Sequence, residues 1–250
     1  MNRNDLMRHW YAYIYDEAVV QDDVRHIASI LGAAPLNILE VACGSGRISI
    51  PLAQAGHTVT GFDVDEFMLA RIPQKASGLA NLRCRRADAL TEDWGTGFDA
   101  VILSGNLLVN IVTDGDYQEA QALFIQKAAA CARQGGHLYL DFDCVNWPDS
   151  TPDPDKEWVC FEGTDDLGTY GRYIVESGAY DSKTRMAKGG RSYEIKPKHG
   201  EPFTVATPSV KHFPTHAQVV SWLEQYGWEI EWQNPVREET YHAILWARKR

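Results

Sequence analysis

Between Leu36 and Asp143 the chain keeps to one rhythm, a short apolar run followed by a longer amphipathic one. The short runs are "LNILEVA", "HTVTGFD", "NLRCRRAD", "FDAVILSG" and "GGHLYLDFD", and helical patterns such as "GRISIPLAQAG", "DEFMLARIPQKA" and "DYQEAQALFIQKAAACAR" stand between them. Strands that alternate with helices read as β-α-β units, which pair into a parallel sheet with helices on both faces. We therefore expect an α/β fold of the Rossmann-like, doubly wound kind. In such sheets ligands bind at the carboxyl ends of the strands, and three runs end in or near an acid: Glu40, Asp63 and Asp88.

The texture changes after Asp143. "CVNWPDSTPDPDKEW" is rich in proline and acids and reads as a crossing loop. The period-two segments "KEWVCFEG", "GRYIVESGAY", "TRMAKGGRSYEI" and "FTVATPSVKHF" then read as an inserted antiparallel patch. The end returns to type with a helix "HAQVVSWLEQYG" and strands "WEIEWQ" and "ETYHAILWARK". At the start, "DEAVVQDDVRHIASIL" places Val20, Val24, Ile27, Ile30 and Leu31 on one helical face. The expected organisation is a lid region over 1–32, an α/β core over 33–143, a cap over 144–213 and a return to the core over 214–250.

Composition narrows the partners. With 34 acidic and 24 basic residues and a formal charge of −10, the surface repels a phosphate backbone, so nucleic acid is not expected. Five cysteines, with no two closer than 13 positions, offer neither a zinc knuckle nor a disulfide framework, and no metal is expected. That usage fits a cytoplasmic protein, and the absence of a long apolar run argues against a membrane. The oligomeric state, monomer or homodimer, is left open.

The first loop, Cys43-Gly44-Ser45-Gly46, follows a strand and opens a helix, so bare amides can face a ligand. Asp63, about 20 residues on, stands where an acid can grip both hydroxyls of a ribose. A dinucleotide would want a third glycine where Ser49 stands, and Glu40 beside a pyrophosphate is electrostatically unfavourable. A ligand with a ribose, an adenine and a cationic arm suits the loop better.

These residues resemble the class I S-adenosylmethionine-dependent methyltransferases. "EVACGSGR" is similar to their first motif, with Ala42 in place of its first glycine, and "GFDVDEFM", "RADAL" and "FDAVILSGN" resemble the second, third and fourth. The resemblance covers the chain outside roughly 144–200. It implies a seven-stranded sheet with its last strand antiparallel, the inserted patch following strand five, and S-adenosylmethionine as cofactor. Glu40, Ala42, Gly44 and Gly46 would line its methionine part, with Arg47 near the carboxylate and the Ser104 carbonyl near the amine. Asp63 would hold the ribose, Val64 and Met68 would sandwich the adenine, and Asp88 with the Ala89 amide would read the adenine edge.

Nucleobase-amino methyltransferases carry an Asn/Asp-Pro-Pro-aromatic run after the fourth motif, where this chain has "SGNLLVN". The chain resembles instead the small-molecule branch that includes glycine N-methyltransferase and the amino-sugar N,N-dimethyltransferases. "YAYIYDEAVV" is similar to that branch's tyrosine-rich opening, which implies Tyr11 and Tyr15 over the methionine end. Asn106 would orient a polar group of the acceptor, and His212 is the candidate base; His57 and His137 are expected to be structural. Trp158, Phe161, Tyr170, Tyr173 and Tyr193 would wall the acceptor pocket. The expected activity is methyl transfer to a small molecule, at an amine nitrogen before a hydroxyl or carboxyl oxygen. A non-methylating enzyme that uses the same cofactor, a noncatalytic binding protein and a nicotinamide-dependent oxidoreductase are the rivals.

Overall fold

The computed structural model describes residues 1–18, 22–153, 155–235 and 241–250. They form two compact units, one of residues 1–20 with 147–211 and one of residues 21–146 with 212–250. The stretch expected as one lid, 1–32, is thus shared between them. Helix α1 (Arg3–Ala18) belongs to the first and α2 (Asp22–Leu31) to the second. The single helix read from "DEAVVQDDVRHIASIL" is divided accordingly, and Val20 lies outside the described residues.

The second unit holds the seven-stranded sheet. Its parallel strands are β1 (Asn37–Val41), β2 (Thr58–Asp63), β3 (Leu82–Arg86), β4 (Phe98–Leu103) and β5 (Ala132–Asp143). Five strands, β6 (Glu157–Thr164), β7 (Tyr170–Glu176), β8 (Ala179–Asp181), β9 (Met186–Lys196) and β10 (Phe203–His212), make the inserted sheet, and β11 (Trp228–Gln233) and β12 (His242–Lys249) return to the large one. Its order is β11-β12-β5-β4-β1-β2-β3, with β12 antiparallel to both neighbours. This is the expected doubly wound fold with an antiparallel last strand.

Alternation within the strands assigns the two faces. Leu39, Val41, Val101, Leu103, Leu138 and Leu140 pack under Phe124 and Ile125 of α6 (Tyr117–Cys131) and under Val219 and Leu223 of α7 (His216–Gln225). Ile38, Ala100, Ile102 and Tyr139 face the other way, onto Val24 and Ile27 of α2 and onto Leu52 of α3 (Ser49–Gln54). The edge strand β3 exposes Arg83, Arg85 and Arg86, charges that discourage pairing with a further strand. "DEFMLARIPQKA" forms two short helices rather than one, α4 (Glu66–Leu69) and α5 (Ile72–Lys75). Asp65 caps the first of them, and Pro73, which has no N–H to donate, is tolerated in the opening turn of the second.

In the first unit β6, β7, β9 and β10 form an antiparallel sheet on which α1 packs, with β8 paired to β9. Trp10 is fully buried there, and its Nε1 donates to the Gly163 carbonyl at 2.9 Å. A Cβ on Gly171 would fall 2.4 Å from the Trp10 ring, so the strand needs glycine at that position. Tyr11 stands edge-on to Phe161, Tyr173 and Tyr193 with centroids 5.3–6.0 Å away. Among the described residues no helix is long and apolar enough to cross a membrane.

Candidate active site

The first loop is held by the second strand. Asp63 ends β2, and its carboxylate accepts the Gly44 amide at 2.8 Å through Oδ2 and the Asp65 amide at 2.7 Å through Oδ1. Burial pushes this carboxyl up from its ordinary pKa, and the two amides oppose the shift. The backbone turns through left-handed conformations at Gly44 (φ 54°) and Gly46 (φ 82°). Ala42 shares that conformation at φ 58°, so the residue in place of the first glycine keeps the glycine geometry at a steric cost.

Glu40 lies one residue before the end of β1 and is 4% exposed. Burial raises its pKa to about 8, against the lowering effects of the Ser49 hydroxyl and the Arg47 charge. Ser49 donates its hydroxyl to Glu40 Oε2. The residue that argued against a dinucleotide is therefore the partner of the buried acid, a link that nine positions of sequence separation concealed. Arg47 is not aimed at open space; it forms a two-oxygen ion pair with Asp23 of α2.

A cleft of about 280 Å³ opens beside Asp63, lined by Ala42, Phe62, Val64, Asp88 and Ala89 and by Leu107, Asn110, Ile111 and Val112. Asp88 Oδ1 accepts the Leu90 amide at 2.9 Å, which fixes the turn after β3. Two of the lining valines are strongly exposed, Val64 at 60% and Val112 at 83%. Met68, expected at the adenine, is instead buried on α4 and does not line the cleft, because the one-turn helix points it inward; Leu107, Ile111 and Val112 are the apolar lining that the sequence reading passed over. Their signal was the run "NLLVNIV", which continues apolar after β4 has ended.

A second cleft, of about 510 Å³, lies on the α2 side and is lined by Asp23, His26, Gly105, Asn106, Tyr139, Asp141, His242 and Ile244. Asp141, buried in β5, accepts the Ser104 hydroxyl at 2.5 Å, the Gly105 amide at 3.2 Å and the Asn106 amide at 2.8 Å. Asn106 is left-handed (φ 62°), and both ends of its amide are spent on Asp143: Nδ2 donates to the carboxylate and Oδ1 accepts the backbone N–H at 2.8 Å. It positions the loop rather than offering a free polar group. His242 Nδ1 stands 2.8 Å from the other Asp143 oxygen, and that hydrogen bond raises its pKa against the opposing effect of burial.

His242 was not singled out from the sequence, though antiparallel pairing of β12 with β5 sets His242 opposite Asp143. His212 occupies a different environment. It is 2% exposed, its Nδ1 lies 2.8 Å from Gln121 Oε1, and it lines neither cleft, since the return from β10 turns it into the core. His57 and His137 have structural surroundings: His57 Nδ1 accepts the Leu36 amide at 3.2 Å, and His137 stacks on Trp246 at 4.6 Å. Tyr11, Tyr15, Trp158, Phe161, Tyr170, Tyr173 and Tyr193 belong to the other unit.

Residues 38–136 match the family model described as a methyltransferase domain. A putative methyltransferase of Bacillus subtilis (strain 168), YqeM, is 33% identical over 158 residues, which is 58% of this chain and 62% of that protein. Glycine N-methyltransferase of Rattus norvegicus is 32% identical over 114 residues, 42% of this chain and 39% of the rat enzyme. The chain thus spans less than two thirds of the length of these relatives. Among solved structures, the CcbJ methyltransferase of Streptomyces caelestis shares the fold, with a TM-score of 0.72 and 18% identity over 97% of both chains. Residues 38–136 thus match a methyltransferase domain, and the strand order around them is that of the methyltransferase fold.

Proposed function

We propose that the protein transfers a methyl group from S-adenosylmethionine to an amine nitrogen of a small molecule. The observation that carries the amine reading is the second cleft, where Asp141 stands with His242, itself hydrogen-bonded to Asp143, while the charge of Asp23 is matched by Arg47. Carboxylates around a cavity favour a cationic amine over a carboxylic acid.

The first cleft fits the cofactor by its donor set. Its lining includes the carboxylates of Asp63 and Asp88 and no lysine or arginine, which suits an uncharged nucleoside and opposes a pyrophosphate. In this reading Asp63 holds the ribose, Asp88 and the Ala89 amide meet the adenine edge, and Val64, Leu107 and Val112 cover its faces. Glu40 and the Gly44 to Gly46 backbone attend the methionine part. The cofactor, when bound, would supply an electrophilic methyl on a sulfonium sulfur, for transfer to the acceptor's nitrogen with the thioether as leaving group. The protein's share is alignment and exclusion of water. An ammonium must shed a proton before its lone pair can attack; His242, which lines the second cleft, is the base this reading assigns, with Asp143 stabilising the resulting charge.

Calorimetric titration with S-adenosylmethionine and S-adenosylhomocysteine, followed by mass spectrometry with panels of amines and hydroxy acids, tests this reading. Micromolar binding and amine-dependent S-adenosylhomocysteine formation support it. Absence of binding removes the cofactor assignment, and turnover with hydroxy acids alone moves the acceptor to oxygen.

A further inference from the structure

Outside the methyltransferase domain, three side chains of the first unit converge without a role in the reading above. His9 lies midway along α1, and Asp165 and Asp166 stand in the turn between β6 and β7. His9 Nε2 is 2.8 Å from Asp166 Oδ1 and 3.9 Å from Asp165 Oδ2. The two oxygens of Asp165 are used very differently. Oδ1 accepts the Leu167 amide at 3.0 Å and the Thr169 amide at 2.7 Å, and so builds the turn. Oδ2 belongs to a side chain with 0% exposure and has no hydrogen-bond donor among the described residues.

A buried carboxylate oxygen without a donor is costly, and native structures rarely keep one without a reason. Protonated His9 does not resolve it, because the imidazolium reaches the exposed Asp166 and stays too far from Oδ2 for a hydrogen bond. A cation between the three groups does. Their ligand atoms all lie within 4.8 Å of one another. A tetrahedral ion with N and O ligands at about 2.1 Å holds those ligands about 3.4 Å apart, between the two separations observed.

We propose that His9 Nε2, Asp165 Oδ2 and Asp166 Oδ1 bind a divalent transition-metal ion of the zinc class, with water completing the shell. The imidazole selects against magnesium and calcium, which prefer all-oxygen shells, and two carboxylates balance the ion's charge. The amides that hold Oδ1 orient the second oxygen toward the ion, the kind of outer support that metal ligands usually receive. The ion clamps α1 to the β6–β7 turn. This inference is independent of the acceptor and cofactor assignments.

The test uses the full chain, stripped with a chelator and dialysed, then titrated with Zn2+, Mn2+, Mg2+ or Ca2+ alone by calorimetry and thermal unfolding. We expect one Zn2+ per chain and a Tm rise of roughly 4 °C or more at saturating ion, with no shift from Mg2+ or Ca2+ at the same concentration. Co2+ should give the visible absorption of a low-coordinate site. Asp166→Asn and His9→Gln change partly exposed side chains and should fold normally while losing the ion; Asp165→Asn, which keeps an acceptor for the turn amides, should lose it as well. No Zn2+ binding, or binding that survives His9→Gln and Asp166→Asn and therefore resides elsewhere, overturns the proposal.

Discussion

The Gly44 amide donates to Asp63 Oδ2 at 2.8 Å, so the loop that opens the first motif and the acid that ends the second strand are one hydrogen-bonded unit. On the proposed reading Asp63 would act on the cofactor twice, through its own oxygens and through the loop it pins. Asp63→Ala should weaken S-adenosylmethionine binding by about 2–4 kcal/mol, the loss of charge-assisted hydrogen bonds to a partly buried carboxylate. Calorimetry reads this directly, and unchanged affinity would move the ribose away from β2.

Glu40 should make the cofactor-free protein's stability fall with rising pH. Its folded pKa of about 8 lies above its ordinary 4.5, so the native state holds a proton that the unfolded chain releases. The stabilisation is complete below pH 4.5 and disappears as the pH rises through 8. The change is on the order of 5 kcal/mol across that window. Glu40→Gln keeps an acceptor for the Ser49 hydroxyl and should flatten the profile; identical pH slopes of Tm in variant and wild type would place the titration elsewhere.

The two histidines near the sheet's end should separate cleanly. His242→Gln is expected to lower kcat by roughly 100-fold or more while leaving cofactor affinity within about twofold, the usual weight of general base catalysis. Because Asp143 raises its pKa, the wild-type rate should keep climbing above the ordinary histidine range, and Asp143→Asn should move that limb to lower pH. His212→Ala, by contrast, should leave the rate within about tenfold and lower stability by about 1–3 kcal/mol through the loss of the partner of Gln121 Oε1. Equal rates for His242→Gln and wild type would hand the proton to solvent.

Ala42→Gly should stabilise the protein. A left-handed alanine carries a strain of about 1 kcal/mol that glycine lacks, and only part of it is offset by the freer unfolded chain. A lower Tm in the variant would mean that the Ala42 methyl makes packing contacts worth more than the strain.

Val64→Asp tests the cofactor cleft from its rim. The residue is 60% exposed, so stability should change by no more than about 0.5 kcal/mol while affinity for S-adenosylhomocysteine drops at least tenfold. Unaltered affinity would exclude Val64 from the adenine face.

What could be read from the sequence was what local periodicity encodes. The β1 to β5 order, the acids Glu40, Asp63 and Asp88 at or near strand ends, and the inserted antiparallel sheet all follow from patterns a few residues long. Two of the misreadings share one origin, partners far apart in sequence. Arg47 was aimed at a ligand because Asp23, 24 positions away, could not be seen beside it. His242 was passed over because its meaning comes from Asp143, 99 positions earlier; Met68, expected to sandwich the adenine, differs in being a local matter, since it is buried on the one-turn helix α4.

The position of β12 between β5 and β11 also sets a timetable for the ribosome. The flank of β5 that His242 to Arg248 will cover is translated about a hundred residues before its cover, since Asp143 and His242 are 99 positions apart. At about 5–20 residues per second that flank, with Leu138, Leu140 and Phe142 on it, waits roughly 5–20 s for its neighbour. An open strand edge is a template for any other strand. The nascent chain therefore has its greatest need of a chaperone while the inserted sheet is being made, and a synonymous-codon change that slows translation there should raise aggregation without altering a single residue of the finished protein.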